Sequence, residues 1–160
     1  MARKTKELES LWWDWLSTAE RLLRSLHEQT AALTLRDIGR VERIQPELEN
    51  FRALMDDIDE RASACAREMA SERGCEPNLK GLVGSMEKQE GQQLHALANR
   101  VIVVGRNVQQ VVAKNRTLIE NELDYVGGTM ALVARESVER STQYGHARTG
   151  SATVIMNQVA

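Results

Sequence analysis

The stretch at residues 41–69, VERIQPELENFRALMDDIDERASACAREM, decides the fold class. Val41, Ile44, Leu48, Phe51, Met55, Ile58, Ala62, Cys65 and Met69 recur at alternating intervals of three and four. That is the period of a helix burying one stripe against a neighbour, not the two-residue alternation of a strand. Pro46 interrupts the chemistry without interrupting the pattern. Its ring nitrogen has no hydrogen for the carbonyl of Glu42, a loss of about 3 kcal/mol in a helix interior. The unbroken phase across it predicts a kink rather than a break. Upstream, Thr34 with Asp37 three residues on has the form of a capping box and predicts a helix start near Leu35. Downstream, Gly74 after Arg73 predicts a left-handed stop.

The same period extends to both sides. Leu8, Trp12, Trp15, Ala19, Leu22 and Leu26 form a first seam, widened by Leu11, Leu16 and Leu23, as expected of a helix with more than one neighbour. After the turn signal Glu76, Pro77, Asn78, a third segment runs for about 60 residues. Its seam is Leu94, Leu97, Val101, Val104, Val108, Val111, Asn115, Leu118, Glu122, Tyr125, Thr129 and Leu132, with Val112, Ile119, Val126 and Val133 beside it. Residues 87–93 are polar apart from Gly91 and read as an exposed stretch of one helix, a hinge there remaining open. The expected fold is all-α: an elongated antiparallel helical bundle or coiled coil of three long helices, the second kinked near Pro46. Residues 1–138 form the helical domain. Residues 139–160 lose the period and read as a flexible partner-binding tail that closes on Val154, Ile155, Met156 and Val159.

Composition supports this class and removes others. Two prolines, ten glycines and 4% aromatic residues in 160 leave a β-sandwich or barrel short of turn and strand chemistry. Twenty-one basic against 23 acidic residues give a net charge of −2, without the concentrated basic face expected for nucleic acid. No apolar run approaches the roughly 20 residues needed to cross a bilayer, and the charged start leads into no signal segment. A cytoplasmic setting is expected, which favours Cys65 and Cys75 as reduced thiols over an intrachain disulfide between them.

Catalytic constellations are missing by spacing. The residues three before His27, His95 and His146 are Arg24, Gln92 and Gln143, so no helical Glu-x-x-His metal pair exists. His27-Glu28 opens like a zinc-protease motif, but Ala31 stands where its second histidine belongs. The two cysteines lack the close spacing of a zinc site. No enzyme activity, cofactor or metal is expected. Trp12 and Trp15 read as core anchors, and Trp13 as half covered by the long helix. Asp56, Asp57, Asp59 and Glu60 read as a solvated charged face. Asn115 and Glu122 occupy seam positions where apolar residues pack better. They either fix the register or mark a part of the seam that awaits a partner.

The last third carries a resemblance. Asn115, Arg116, Thr117, Leu118, Ile119, then Tyr125 and Val126, a polar break, and Tyr144, Gly145 with Gly150 follow in an order that resembles the FlgN family of flagellar type III export chaperones. The similarity in length and order spans most of the chain. Pro46, the three early tryptophans and the apolar finish depart from the family pattern. The resemblance implies a chaperone that binds the hook–filament junction proteins FlgK and FlgL and delivers them to the export gate protein FlhA. It implies cargo contacts at Asn115, Leu118, Ile119, Glu122, Tyr125, Val126, Leu132 and Val133, and gate docking at Tyr144 and Gly145. A structural coiled-coil adaptor or scaffold unrelated to secretion is the alternative, and the sequence leaves monomer and homodimer both open.

Overall fold

A computed structural model describes residues 2–137. Four helices follow in order: α1 Ala2–Thr34, α2 Ile38–Arg73, α3 Leu79–Gly84 and α4 Lys88–Ser137. Among the described residues there is no strand, and the all-α expectation holds. The tail expected at 139–160, with Tyr144 and Gly145, lies outside the described residues.

The wide stripe on α1 has its reason in the packing: α1 contacts both α2 and α4. Leu8, Leu11, Trp12, Trp15, Leu16, Ala19, Leu22 and Leu26 are all buried. The two partners run in opposite senses. Lys4 near the start of α1 pairs through Nζ with Glu68 (3.0 Å) and Glu72 (2.6 Å) near the end of α2, so α1 and α2 are antiparallel. The two carboxylates hold the Lys4 ammonium above the ordinary lysine value. In α4, Arg100 meets Trp13, Asn115 meets Thr30 and Glu122 meets Arg36, so α4 runs parallel to α1.

The second helix buries one narrow seam: Ile44, Leu48, Met55, Ile58, Ala62, Cys65 and Met69, with Val41 and Phe51 half-buried along it. It continues through Pro46 as a single helix, the proline standing on its exposed side. Gly74 ends it at φ 64°, ψ 35°, its N–H and that of Cys75 both donating to the carbonyl of Ala70, as expected. The expected start near Leu35 moves. Thr34 still belongs to α1, where its hydroxyl donates to the Thr30 carbonyl at 2.8 Å. Arg36 takes φ 55° in the turn, and Asp37 itself caps α2 by accepting from the N–H of Arg40 at 3.1 Å. A short acidic side chain one residue before the helix caps it directly, so the threonine is not needed there.

The third segment is also not one helix. Asn78 caps α3 by accepting from the N–H of Gly81 at 2.7 Å, and the chain leaves helical geometry again at residues 85–87. Ser85 closes α3 with its N–H and hydroxyl on the carbonyl of Leu82, while Arg73 Nη1 donates to the Ser85 carbonyl at 3.2 Å. The chain then folds back on itself. A Cβ on Gly91 would lie 3.1 Å from the Val83 carbonyl oxygen, so glycine permits the close approach of α3 to α4. The polar stretch at 87–93 is therefore the first turns of α4, and the break lies just before it.

Both cysteines are free, Cys65 buried and Cys75 half-buried. The Cys65 thiol donates to the Lys4 carbonyl at 3.5 Å, and burial raises its pKa. No described helix is long and apolar enough to cross a membrane. Among the described residues no cluster of His, Cys, Asp and Glu could hold a metal ion.

Candidate partner-binding site

The α1-facing line of α4 is Leu94, Ala98, Val101, Gly105, Val108, Val112 and Asn115, spaced four, three, four, three, four, three. Ala98 and Gly105 are buried there, while Val104 and Val111 of the expected seam are only half-buried. Small residues at 98 and 105 let the backbones approach, and a search for large apolar side chains passes over them. Continued upward, the same line reaches Ile119, Glu122, Val126 and Val133. It has lost its cover, because α1 stops at Thr34 while α4 runs on to Ser137. From Glu122 onward the helix extends by about 22 Å at 1.5 Å per residue.

Asn115 marks the last fully enclosed position, at 2% exposure. Its Nδ2 donates to the Leu26 carbonyl (3.0 Å) and to Gln29 Oε1 (2.9 Å), and its Oδ1 accepts from the Thr30 hydroxyl (2.6 Å). A buried amide with this set of partners fixes α4 against α1 in one register. The enclosed side chain, with its amide engaged by α1, is the arrangement that the register reading of Asn115 calls for.

The turn between α1 and α2 forms the next contact. Arg36 Nε pairs with Glu122 Oε2 at 3.3 Å, and its guanidinium lies over the Tyr125 ring at 4.8 Å. Glu122 is thus tied to a neighbour inside the chain. Above this clasp the surface is apolar and open. Leu118 and Ile119 are half-buried, whereas Tyr125, Val126, Leu132 and Val133 are exposed, as are Leu123 and Met130. Beside them Leu35 and Ile38 are 72% and 69% exposed. Isolated exposed apolar residues are ordinary, but this many at one end of a helix make it the candidate interaction surface of the described chain. Leu35, Arg36 and Ile38 escape the sequence reading because helix periodicity counts Leu35 as the opening of α2. Two apolar residues within four positions of a turn were the available signal.

Trp12 and Trp15 are buried and Trp13 is half-exposed, with Arg100 above its ring at 5.4 Å. In the acidic run, Asp57 and Glu60 are exposed, and Asp57 pairs with Arg61 at 3.8 Å. Asp59 is half-buried, and desolvation with the neighbouring Asp56 charge pushes its carboxyl up to about 6.

Helices joined in this way, with one end left apolar and exposed, define an all-α helical module. A family model for the FlgN protein matches residues 1–151. The chain belongs to the FlgN family, a family of flagellar export chaperones. No curated protein and no solved structure matches it.

Proposed function

We propose that the chain holds hook–filament junction proteins of the FlgK and FlgL type and delivers them to the export gate protein FlhA. The observation that carries this reading is the continuation of the α1-facing line of α4 beyond the end of α1, where it stays apolar and exposed. An amphipathic helix of the cargo would lie on Leu118, Ile119, Tyr125, Val126, Leu132 and Val133, with Leu35 and Ile38 as a second wall. Such helix-in-groove recognition needs anchors at three- and four-residue spacing on both partners. Asn115 and Glu122 serve it from within, by fixing the position of the helix end. Tyr144 and Gly145 would dock at the gate. On this reading the protein works in the bacterial cytoplasm, before cargo enters the export channel.

Amide hydrogen exchange of the full chain, alone and with the C-terminal helical segment of FlgK or FlgL, tests the proposal. Protection should rise at residues 118–133 and at 35–38, and Leu35→Ser with Ile38→Ser should remove most of it without changing the melting temperature. If residues 118–133 are already protected in the free protein through self-association, and cargo adds nothing, the scaffold reading replaces this one.

A further inference from the structure

A second surface lies lower on the molecule, along α4 below the apolar tip. Gln93, Ala96, Arg100, Val103, Asn107, Gln110, Lys114 and Thr117 recur at three, four, three, four, three, four, three and are all exposed. They form a continuous stripe along α4. At its lower end an open groove between α1 and α4 is lined by Glu9, Trp13, Gln93, Ala96, Leu97 and Arg100. Trp13 is 51% exposed there and Val103 54%, one helical turn above Arg100. A half-exposed tryptophan stacked with an arginine is the pair of residue types that most often dominates binding energy in protein interfaces.

Charge identifies the occupant. The exposed stripe carries two basic residues, Arg100 and Lys114, and no acidic one, in a chain of net charge −2, and Glu9 of α1 is the one carboxylate lining the groove. The compensating acid lies elsewhere: α2 carries nine acidic residues against six basic. A second copy is a poor occupant. Two-fold pairing of the stripe with itself would set like charges against each other. Docking the acidic α2 of one copy on α4 of the next would be a head-to-tail contact that leaves both surfaces free again and grows without closing. We propose that the α1–α4 face centred on Trp13 and Arg100 docks an acidic amphipathic protein segment, one apolar side chain of which rests on Trp13 and Val103 while its carboxylates meet Arg100 and Lys114. This surface is independent of the tip and does not require the cargo reading.

The test uses the full-length protein labelled with nitrogen-15 and a synthetic three-heptad helical peptide with leucine at the first and fourth heptad positions and glutamate around them. Titration should shift the Trp13 indole resonance and the amides of Arg100, Val103, Asn107 and Lys114 in a saturable way. Arg100→Glu with Lys114→Glu should weaken binding by about tenfold or more, as charge reversal at an interface centre does. Trp13→Ala should do so independently. Binding should also fall as ionic strength rises from about 0.01 to about 0.15 M, where the screening length drops from about 30 to about 8 Å. A peptide with lysine in place of glutamate should leave these resonances unmoved. Shifts confined to Leu35, Tyr125 and Val126, or no shifts at all, would overturn the proposal. Tighter engagement of the stripe by single-stranded DNA or by phosphatidylglycerol vesicles than by the peptide would overturn it as well, by assigning the surface to a different anion.

Discussion

Replacing Asn115 with alanine separates a residue that fixes the helices from one that meets a partner. The substitution removes both Nδ2 donors and the Oδ1 acceptor. The Leu26 carbonyl keeps the Thr30 hydroxyl within 3.0 Å, so its loss is small. Gln29 is the larger liability: its side chain is buried, and Asn115 is its partner at 2.9 Å. A net hydrogen bond contributes about 0.5–1.5 kcal/mol, and a buried polar group left unpaired costs about 1–3 kcal/mol. The expected destabilisation of Asn115→Ala is therefore about 2–4 kcal/mol. At about 2–4 °C per kcal/mol for a chain of this size, the melting temperature should drop by about 4–16 °C. Asn115→Asp should be at least as damaging at neutral pH. It puts a charge and only acceptors opposite the Leu26 carbonyl, which cannot reorient as the Gln29 amide can. Urea unfolding followed by far-ultraviolet circular dichroism, with thermal melts, measures both variants. If both stay within about 0.5 kcal/mol of the parent, the range of ordinary surface changes, while cargo affinity falls, Asn115 is a partner contact and the register argument is wrong.

Other consequences of the packing can be checked in the same assays. Met55 is fully buried in the α2 seam, so Met55→Ala should cost about 2–5 kcal/mol in urea unfolding. Gly127 and Gly128 have open space where a Cβ would stand, so Gly127→Ala with Gly128→Ala should raise helicity by circular dichroism and slow amide exchange in the α4 end, at up to about 1 kcal/mol each. The Asp59 carboxyl is held at about 6 against an ordinary 3.8, which means that the folded state binds its proton more tightly than the unfolded chain does. Stability from this group therefore rises as pH falls from above about 6 towards 3.8, and Asp59→Asn should stabilise the protein at pH 7 and flatten that part of the pH profile. A profile in which Asp59→Asn loses stability at pH 7 would contradict the assignment.

Much of the architecture was legible because a three-and-four period needs few residues to declare itself. The α1 and α2 seams are buried at nearly every position so read, and Gly74 stops α2 where a glycine after a basic last turn should. What escaped was set by contacts between segments distant along the chain. Gly91 marks a close approach to Val83 that no periodic pattern contains. Ala98 and Gly105 are buried because α1 comes near, not because they are apolar bulk. Arg36 has no sequence feature that would join it to Glu122 and Tyr125, since that contact exists only once α4 runs parallel to α1. At the site, periodicity found Leu118, Ile119, Tyr125, Val126, Leu132 and Val133, passed over Leu123 and Met130, and could not separate the positions beneath the clasp from those above it. The length of α1 makes that division, and it depends on the turn at residues 35–37.

That division has an energetic side. Below Asn115, α4 is helical because it packs: Leu94, Leu97 and Val101 are buried, and Val104, Val108, Val111 and Val112 are half-buried against the core. Above Tyr125 the apolar side of the same helix is exposed, and the segment contains Gly127 and Gly128, each about 1 kcal/mol less favourable than alanine in a helix interior. Isolated helices of this length are marginal in water, and most helical stability in proteins comes from packing of an apolar face. The helical end of α4 is therefore held by the Arg36 clasp at its base and depends for the rest on whatever covers its apolar side. Covering that side and ordering that helix are one event. On the proposed function, a partner would contribute the packing that the chain supplies to the lower part of α4, and part of the binding energy would go into the helix itself. Asn115 and Glu122 limit how far this coupling spreads, because register set at residue 115 keeps the lower helix in place whether or not the upper end is covered.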